Sequence, residues 1–231
     1  MNALKEEQMN WNTLFNIFPY AVLAVAVFGT VSVYRSRRYG ISARSGGFLE
    51  NRKLWGSVPW HYGIITVLAG HVIGVVAPSF VLSLTGNLTV LAALETLAFS
   101  GGLLCLFGLG ALAVRKLSDR YALSQTRTGD WLVLILLVFQ VLTGLYISAF
   151  HKWGINWYAS NASVYVLSVL KLSPQGDVIT ALPIAVRLHV LNMFLIIAAL
   201  PFTRLIHVFA VPLKYPFRPH IIFRWNTKED L

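Results

Sequence analysis

Two stretches of the sequence decide the fold: PWHYGIITVLAGHVIGVVAPSFVL at residues 59–82 and LPIAVRLHVLNMFLIIAALPFTRLIHVFA at residues 182–210. Each is apolar enough, and longer than the about 20 residues needed, to cross a membrane as a helix. Each also carries two histidines, and an ionisable ring inside lipid usually has a partner within the helical bundle. The candidate functional residues are therefore His61, His71, His189 and His207.

Three further apolar stretches, at 14–33, 89–114 and 130–150, complete a set of five predicted spans. The composition agrees, because 56% of the residues are hydrophobic and 12% are charged, whereas soluble domains have about 25% charged residues. No small-residue cleavage site follows the first span, which indicates an uncleaved anchor. We predict an all-α membrane protein with five transmembrane helices, forming a single domain over residues 1–231.

The basic residues predict the direction of the spans. Lysine and arginine collect on the cytoplasmic side of membrane proteins, and here they number six in the 34–58 loop, four in the 115–129 loop and four in the C-terminal tail. The 83–88 loop has none, and the 151–181 loop has two. We expect the N-terminus outside and the C-terminus in the cytoplasm. This topology also accounts for the net charge of +10, although docking of cytoplasmic partners fits the basic loops as well. Nucleic-acid binding is not expected, since the basic residues form no soluble domain.

The other residues that could carry chemistry give weaker predictions than the four histidines. Cys105 is the one cysteine, which excludes an internal disulfide and a cysteine-ligated cluster, and we expect it to be buried. His151 and His220 lie outside the spans and should be solvated. Glu95 fits a proton acceptor or a residue that snorkels near the outer edge equally well. The 151–181 segment should hold a short helix on the membrane surface, with an interfacial belt that comprises Trp153, Trp157 and Tyr158.

Depth in the membrane predicts how the four histidines pair. His61 lies near the cytoplasmic side, and His71, ten residues on, lies about 15 Å further out. His189 and His207 are 18 residues apart, about 27 Å and five turns along one helix face. His61 should therefore pair with His207 and His71 with His189. The unequal separations require tilt or kinks, for which Pro78 and Pro201 are the candidates.

Neutral imidazole is a good ligand for haem iron, so two His pairs predict two bis-His haems, one above the other. Another metal, a proton path, or simple packing of the histidines remain alternatives. Gly63, Gly70 and Gly74 would allow close approach of a flat macrocycle or of another helix. Arg187 and Arg204 are candidate contacts for haem propionates, and snorkelling fits Arg204 equally well.

Residues 187–215, RLHVLNMFLIIAALPFTRLIHVFAVPLKY, resemble the last helix of the respiratory nitrate reductase gamma subunit, a membrane dihaem cytochrome b with five spans. The similar features are Arg-Leu-His at 187–189, PFTRLIH at 201–207, VPxxY at 211–215, His61-x9-His71-x2-Gly74, the Gly/Leu/Cys stretch at 101–106 and Thr-Gly-Asp at 128–130.

The resemblance implies two haem b groups, the outer held by His71 and His189 and the inner held by His61 and His207. It implies that quinol from the quinone pool is oxidised near the outer haem. Electrons would pass through the inner haem to an iron–sulfur subunit, and a molybdenum-containing catalytic subunit would reduce nitrate to nitrite. This chain would anchor those cytoplasmic partners in the lipid of the inner (cytoplasmic) membrane, as the electron-transfer subunit of an oxidoreductase.

One departure from the family concerns the quinol site. Quinol-oxidising members of the family carry a lysine just after the loop between spans two and three, whereas residues 83–94 here contain no lysine or arginine. A site built with Glu95 or the 151–181 loop is the alternative. Other assemblies also fit: a nitrite oxidoreductase working in reverse, or a hydrogenase or sulfite-reductase type complex. A His-lined metal or proton transporter and a purely structural anchor stay open as functions of other classes.

Overall fold

The computed structural model describes residues 2–36, 54–124, 126, 128–151 and 154–205, and their regular structure is helical. A π-helical turn at Tyr158–Ala162 and a 3-10 turn at Leu200–Phe202 interrupt the α-helices. In chain order the α-helices are α1 (Asn2–Ser36), α2 (Leu54–Val76), α3 (Pro78–Thr85), α4 (Leu88–Ser118), α5 (Arg120–Ser124), α6 (Thr128–Phe150), α7 (Gly154–Trp157), α8 (Ser163–Leu170), α9 (Gly176–Thr180) and α10 (Ile184–Ala199).

Five of these helices, α1, α2, α4, α6 and α10, are long and apolar enough to cross a membrane. The described residues therefore contain the five long apolar helices that the sequence predicted. The helices α1 and α4 run beyond the predicted apolar stretches, because a helix need not end where its apolar residues do. Asn87 determines where α4 begins, since its side chain accepts hydrogen bonds from Thr89 N at 2.9 Å and Val90 N at 3.4 Å. Such capping satisfies amides that have no partner within the helix.

The second span was predicted as one helix over 59–82, and this is wrong. The helix α2 ends at Val76, and Ala77 has φ −133° and ψ 58°. Proline lacks an N–H and disfavours the helical conformation of the residue before it. Pro78 instead starts α3, as the first helical residue where its missing N–H costs nothing. The expected kink at Pro78 is thus a complete break.

The fifth span, predicted as 182–210, is also shorter as an α-helix. The helix α10 ends at Ala199, Pro201 lies in the 3-10 turn, and Thr203 is extended with φ −124° and ψ 175°. Pro201 cannot donate the hydrogen bond that would continue the α-helix. Residues 206–210 of the predicted span lie outside the described residues.

The spans pack in the order α2, α4, α6, α10 and α1, each against the next. Glycines allow the closest of these approaches. A Cβ on Gly63 would lie 2.6 Å from Gly101 O and 2.7 Å from Cys105 N, and one on Gly108 would lie 2.6 Å from Trp60 N. Small residues are what lets two helix backbones approach this closely. Gly63 therefore packs α2 against α4, and Cys105 is buried there as expected.

The 154–180 segment holds short helices, as predicted, and more than one of them. Their position on the membrane surface stays a prediction. The segment comprises α7, the π turn, α8 and α9, and the side chains of Tyr165 and Ile179 are 0% exposed. They belong to the core that α1 and α10 share with this segment. Trp153, part of the predicted interfacial belt, lies outside the described residues.

One of the hydrogen bonds that attach this segment to α1 follows from a proline. Pro19 lies inside α1 and cannot donate the i to i−4 bond to Phe15 O. The hydroxyl of Tyr165 donates to that carbonyl instead, at 2.8 Å, and the ring meets Phe15 edge-on with centroids 5.9 Å apart. Burial raises the pKa of Tyr165 above its ordinary value, with a smaller contribution from Tyr20. The phenol therefore stays protonated and keeps its hydrogen bond.

Candidate functional site

The structure brings together the predicted outer histidine pair. His71 of α2 and His189 of α10 face each other with ring centroids 6.4 Å apart and planes 28° from parallel. The two histidines therefore come from spans at opposite ends of the sequence, as the depth argument predicted.

His71 is held by its own helix. Its Nδ1 lies 2.8 Å from Val67 O, one turn earlier. A carbonyl oxygen can only accept, so Nδ1 carries the proton and Nε2 carries the lone pair. The ring of Tyr158 lies edge-on to His71 at 5.0 Å, and its hydroxyl donates to His71 O at 3.1 Å. Tyr158, the first residue of the π turn, thereby connects the 154–180 segment to this part of α2.

His189 is held by side chains of α6. Its Nδ1 lies 2.9 Å from Thr143 Oγ1, and its Nε2 lies 3.0 Å from Gln140 Nε2. Gly144 leaves room for the ring, because a Cβ there would lie 3.1 Å from His189 Cε1. The ring is therefore fixed at both nitrogens by a neighbouring span.

The separation of His71 and His189 fits a shared metal ion. Two metal–imidazole bonds of about 2 Å each, together with the ring widths, place such centroids about 6 Å apart. The hydrogen bonds at both Nδ1 atoms place the lone pair of each ring on Nε2. The lone pair of His189 accepts from Gln140 Nε2 at 3.0 Å, so a metal would have to displace that hydrogen bond. Hydrogen bonding at the second nitrogen is also what orients metal-ligating histidines in proteins. His71 and His189 are thus the described residues that would hold a haem iron between these two spans.

The inner pair is described only in part. His61 Nδ1 lies 2.6 Å from Ser57 O and 3.2 Å from Ser57 Oγ. His71 is held in the same way, because its Nδ1 also contacts the backbone carbonyl four residues earlier. His207 lies outside the described residues, as does His220, so the pairing of His61 with His207 stays a prediction.

The two candidate propionate contacts lie against other groups. Arg187 Nε donates to Leu182 O at 2.9 Å, and its guanidinium lies 5.9 Å from the centre of the Trp11 ring. Arg204 Nε lies 3.2 Å from Asp130 Oδ1, at the start of α6. Contacts of these arginines with propionates stay a prediction.

The glycines and the glutamate that were predicted near the histidines have different surroundings. A Cβ on Gly74 would lie 2.5 Å from the Tyr158 ring, whereas nothing lies within 4 Å of one on Gly70. Gly74 thus serves packing, and Gly70 borders open space beside His71. Among the described residues, Glu95 Oε1 and Asn156 Oδ1 are buried without a hydrogen-bond partner. The proton-accepting role of Glu95 stays a prediction.

Sequence analysis missed the residues of α6 that hold His189. A usable signal exists, because Gln140 and Thr143 are polar residues three positions apart in the middle of a largely apolar span. Residues with that spacing share one helix face. Gly144, next to Thr143, completes the same surface.

The model of the family described as "Nitrate reductase gamma subunit" matches residues 11–226. The chain belongs to this family. The family description names a subunit of a nitrate reductase. With its five long apolar helices, this chain is the membrane subunit of such a complex. It is therefore a component of an oxidoreductase. The resemblance noted from the sequence motifs is therefore confirmed.

Individual relatives agree over nearly the whole chain. The nitrate reductase gamma chain of Bacillus subtilis (strain 168) is 28% identical over 226 residues, which cover 94% of this chain and 99% of the relative. The respiratory nitrate reductase 1 gamma chain of Escherichia coli (strain K12) is 27% identical, with coverage of 91% and 95%. The nitrate reductase-like protein NarX of Mycobacterium tuberculosis (strain ATCC 25618 / H37Rv) is 30% identical, but this chain spans 34% of its length.

Proposed function

We propose that this family member is the membrane-anchoring dihaem cytochrome b subunit of a respiratory nitrate reductase. In this role it passes electrons from quinol, oxidised near the outer side, through two bis-His haems b to a cytoplasmic iron–sulfur subunit. Nitrate is reduced on a separate molybdenum-containing subunit. The observation that carries the proposal is the pair of near-parallel rings of His71 and His189, 6.4 Å apart.

The chain contributes ligands of a defined tautomer. Each haem supplies one-electron transfer when bound. His71 and His189 present an Nε2 lone pair because Val67 O and Thr143 Oγ1 engage their Nδ1 atoms. Two histidine ligands would leave the haem iron without a site for oxygen, which would suit electron transfer rather than oxygen binding. His61, whose Nδ1 contacts Ser57 O in the same way, is the ligand proposed for the inner haem together with His207.

The direction of the spans sets the electron path. With the basic loops in the cytoplasm, His71 and His189 lie in the outer half of the membrane and His61 lies near the cytoplasmic side. Electrons that enter from quinol outside therefore move inward, toward partners docked on the basic loops. The membrane in this proposal is the inner (cytoplasmic) membrane. The protons of quinol are released on its outer side.

The quinol site differs from the family pattern because residues 83–94 carry no lysine or arginine. Two observations support a quinol site near Glu95. Glu95 Oε1 is a buried acceptor without a hydrogen-bond partner among the described residues, and α4 contacts α7, which carries Asn156 with a second such atom. The π turn beside them positions Tyr158 against His71.

A redox-titrated optical spectrum of the purified complex tests the proposal, with His61, His71, His189 and His207 each replaced by leucine. His71→Leu and His189→Leu should lose the same haem and retain the other, and His61→Leu and His207→Leu should show the reverse. His151→Leu, at the end of α6, is the matched control and should retain both haems. Retention of both haems after any of the four changes would overturn the proposal. Wild-type protein without haem bands would favour a transporter instead.

A further inference from the structure

We infer that Thr143 is a positioning residue for His189: it accepts the Nδ1–H hydrogen bond of the ligand and tunes the outer haem from a neighbouring span. The inference deepens the proposed function and rests on it. Its basis is a continuous series of hydrogen bonds between α6 and α10, in which the direction of each bond follows from the one before.

The series starts at a backbone carbonyl, where donor and acceptor are unambiguous. Asn192 Nδ2 lies 2.9 Å from Leu136 O and 2.7 Å from Gln140 Oε1, so the amide nitrogen of Asn192 donates both bonds. Gln140 Oε1 is then an acceptor, and the Nε2 atom of the same amide must be a donor. Asn192 is 4% exposed, and a buried amide of this kind needs such partners.

The next bond fixes the histidine. Gln140 Nε2 lies 3.0 Å from His189 Nε2, which must accept and therefore carries the lone pair. The proton of a neutral imidazole is then on Nδ1. His189 Nδ1–H donates to Thr143 Oγ1 at 2.9 Å, and the Thr143 hydroxyl donates to Phe139 O at 2.9 Å. The series thus ends, as it began, on a backbone carbonyl of α6.

Thr143 is the member of the series that would remain engaged when iron uses the His189 Nε2 lone pair. Iron would displace the Gln140 hydrogen bond, because Nε2 has one lone pair, whereas Nδ1–H would stay with Thr143. An acceptor at Nδ1 raises the basicity of a ligating histidine, and a more basic ligand favours ferric over ferrous iron. His71 depends on its own helix for this bond, through Val67 O. For His189 the acceptor is a side chain, so it can be removed without altering the ligand.

The experiment compares Thr143→Val and Thr143→Ser in the full complex by spectroscopic redox titration of each haem. Thr143→Val removes the acceptor at nearly constant volume and should raise the midpoint potential of the outer haem. A tenfold loss of ferric preference corresponds to about 59 mV. Thr143→Ser retains a hydroxyl and should restore the wild-type potential. The inner haem should be unchanged in both variants.

Thr30→Val is the matched control, because Thr30 Oγ1 donates to Ala26 O within α1 at 2.6 Å, just as Thr143 does to Phe139 O. It should leave both potentials unchanged. If the outer haem is lost in Thr143→Val but retained in Thr143→Ser, the inference is supported; loss in both indicates a packing role and overturns it. An unchanged outer potential in Thr143→Val also overturns it. The proposed function fails separately, if His189→Leu retains both haems.

Discussion

Replacement of Tyr165 by phenylalanine tests how the 154–180 segment is attached to α1. The side chain of Tyr165 is 0% exposed, and its hydroxyl donates to Phe15 O at 2.8 Å. Pro19 cannot supply the helical donor for that carbonyl, so the variant leaves a buried acceptor without its partner. The cost of such a group is about 1–3 kcal/mol. We therefore expect Tyr165→Phe to lower the free energy of unfolding by about 2 kcal/mol.

The matched control is Tyr20→Phe, which removes a hydroxyl at 3.2 Å from Val169 O. That carbonyl also accepts from Leu172 N at 3.1 Å, so it keeps a partner and the loss should be about 0.5–1.5 kcal/mol. Denaturant unfolding in detergent, followed by tryptophan fluorescence, measures both variants. Equal destabilisation by the two changes, or a larger effect of Tyr20→Phe, would refute the reasoning.

Two further predictions concern packing and pH. Gly63→Ala should lower the free energy of unfolding by about 1–3 kcal/mol, because its Cβ would lie 2.6 Å from Gly101 O. Gly110→Ala is the control and should not lower it, because nothing lies within 4 Å of a Cβ at that position. Equal effects of the two changes in the same unfolding assay would argue against close packing of α2 on α4. Burial raises the pKa of Tyr158 from 10.0 to about 12, so its stabilising contribution is complete below pH 10 and is lost as the pH rises through 12. The absorbance difference between wild type and Tyr158→Phe should show this phenolate only near pH 12, and its appearance near pH 10 would contradict the burial.

The sequence predicts the spans well because apolar length is a local property. It also predicts the meeting of His71 and His189, since depth in the membrane follows from position along a helix. The break at Pro78 was expected only as a kink, because a proline within a helix is compatible with either outcome. Whether Ala77 leaves the helical conformation depends on the packing of α3, which a local pattern does not contain.

Tertiary contacts decide the rest. The apolar sequence of α8, SVYVLSVL, fits a helix on the membrane surface as well as one buried against α1. Its burial involves contacts that are distant in the sequence, such as the hydrogen bond from Tyr165 to Phe15 O, 150 residues away. The support of His189 by Thr143 is likewise a contact between two spans. Polar spacing on α6 indicates a buried face but does not identify what that face meets.

The packing order of the spans has a consequence for assembly. His71 belongs to the tightly apposed couple α2 and α4, and His189 belongs to the couple α6 and α10. A prosthetic group bound by both imidazoles would connect the α2–α4 pair to the α6–α10 pair. Insertion of that group would then be a folding event as much as a functional one, because the free energy of ligation adds to that of the bundle.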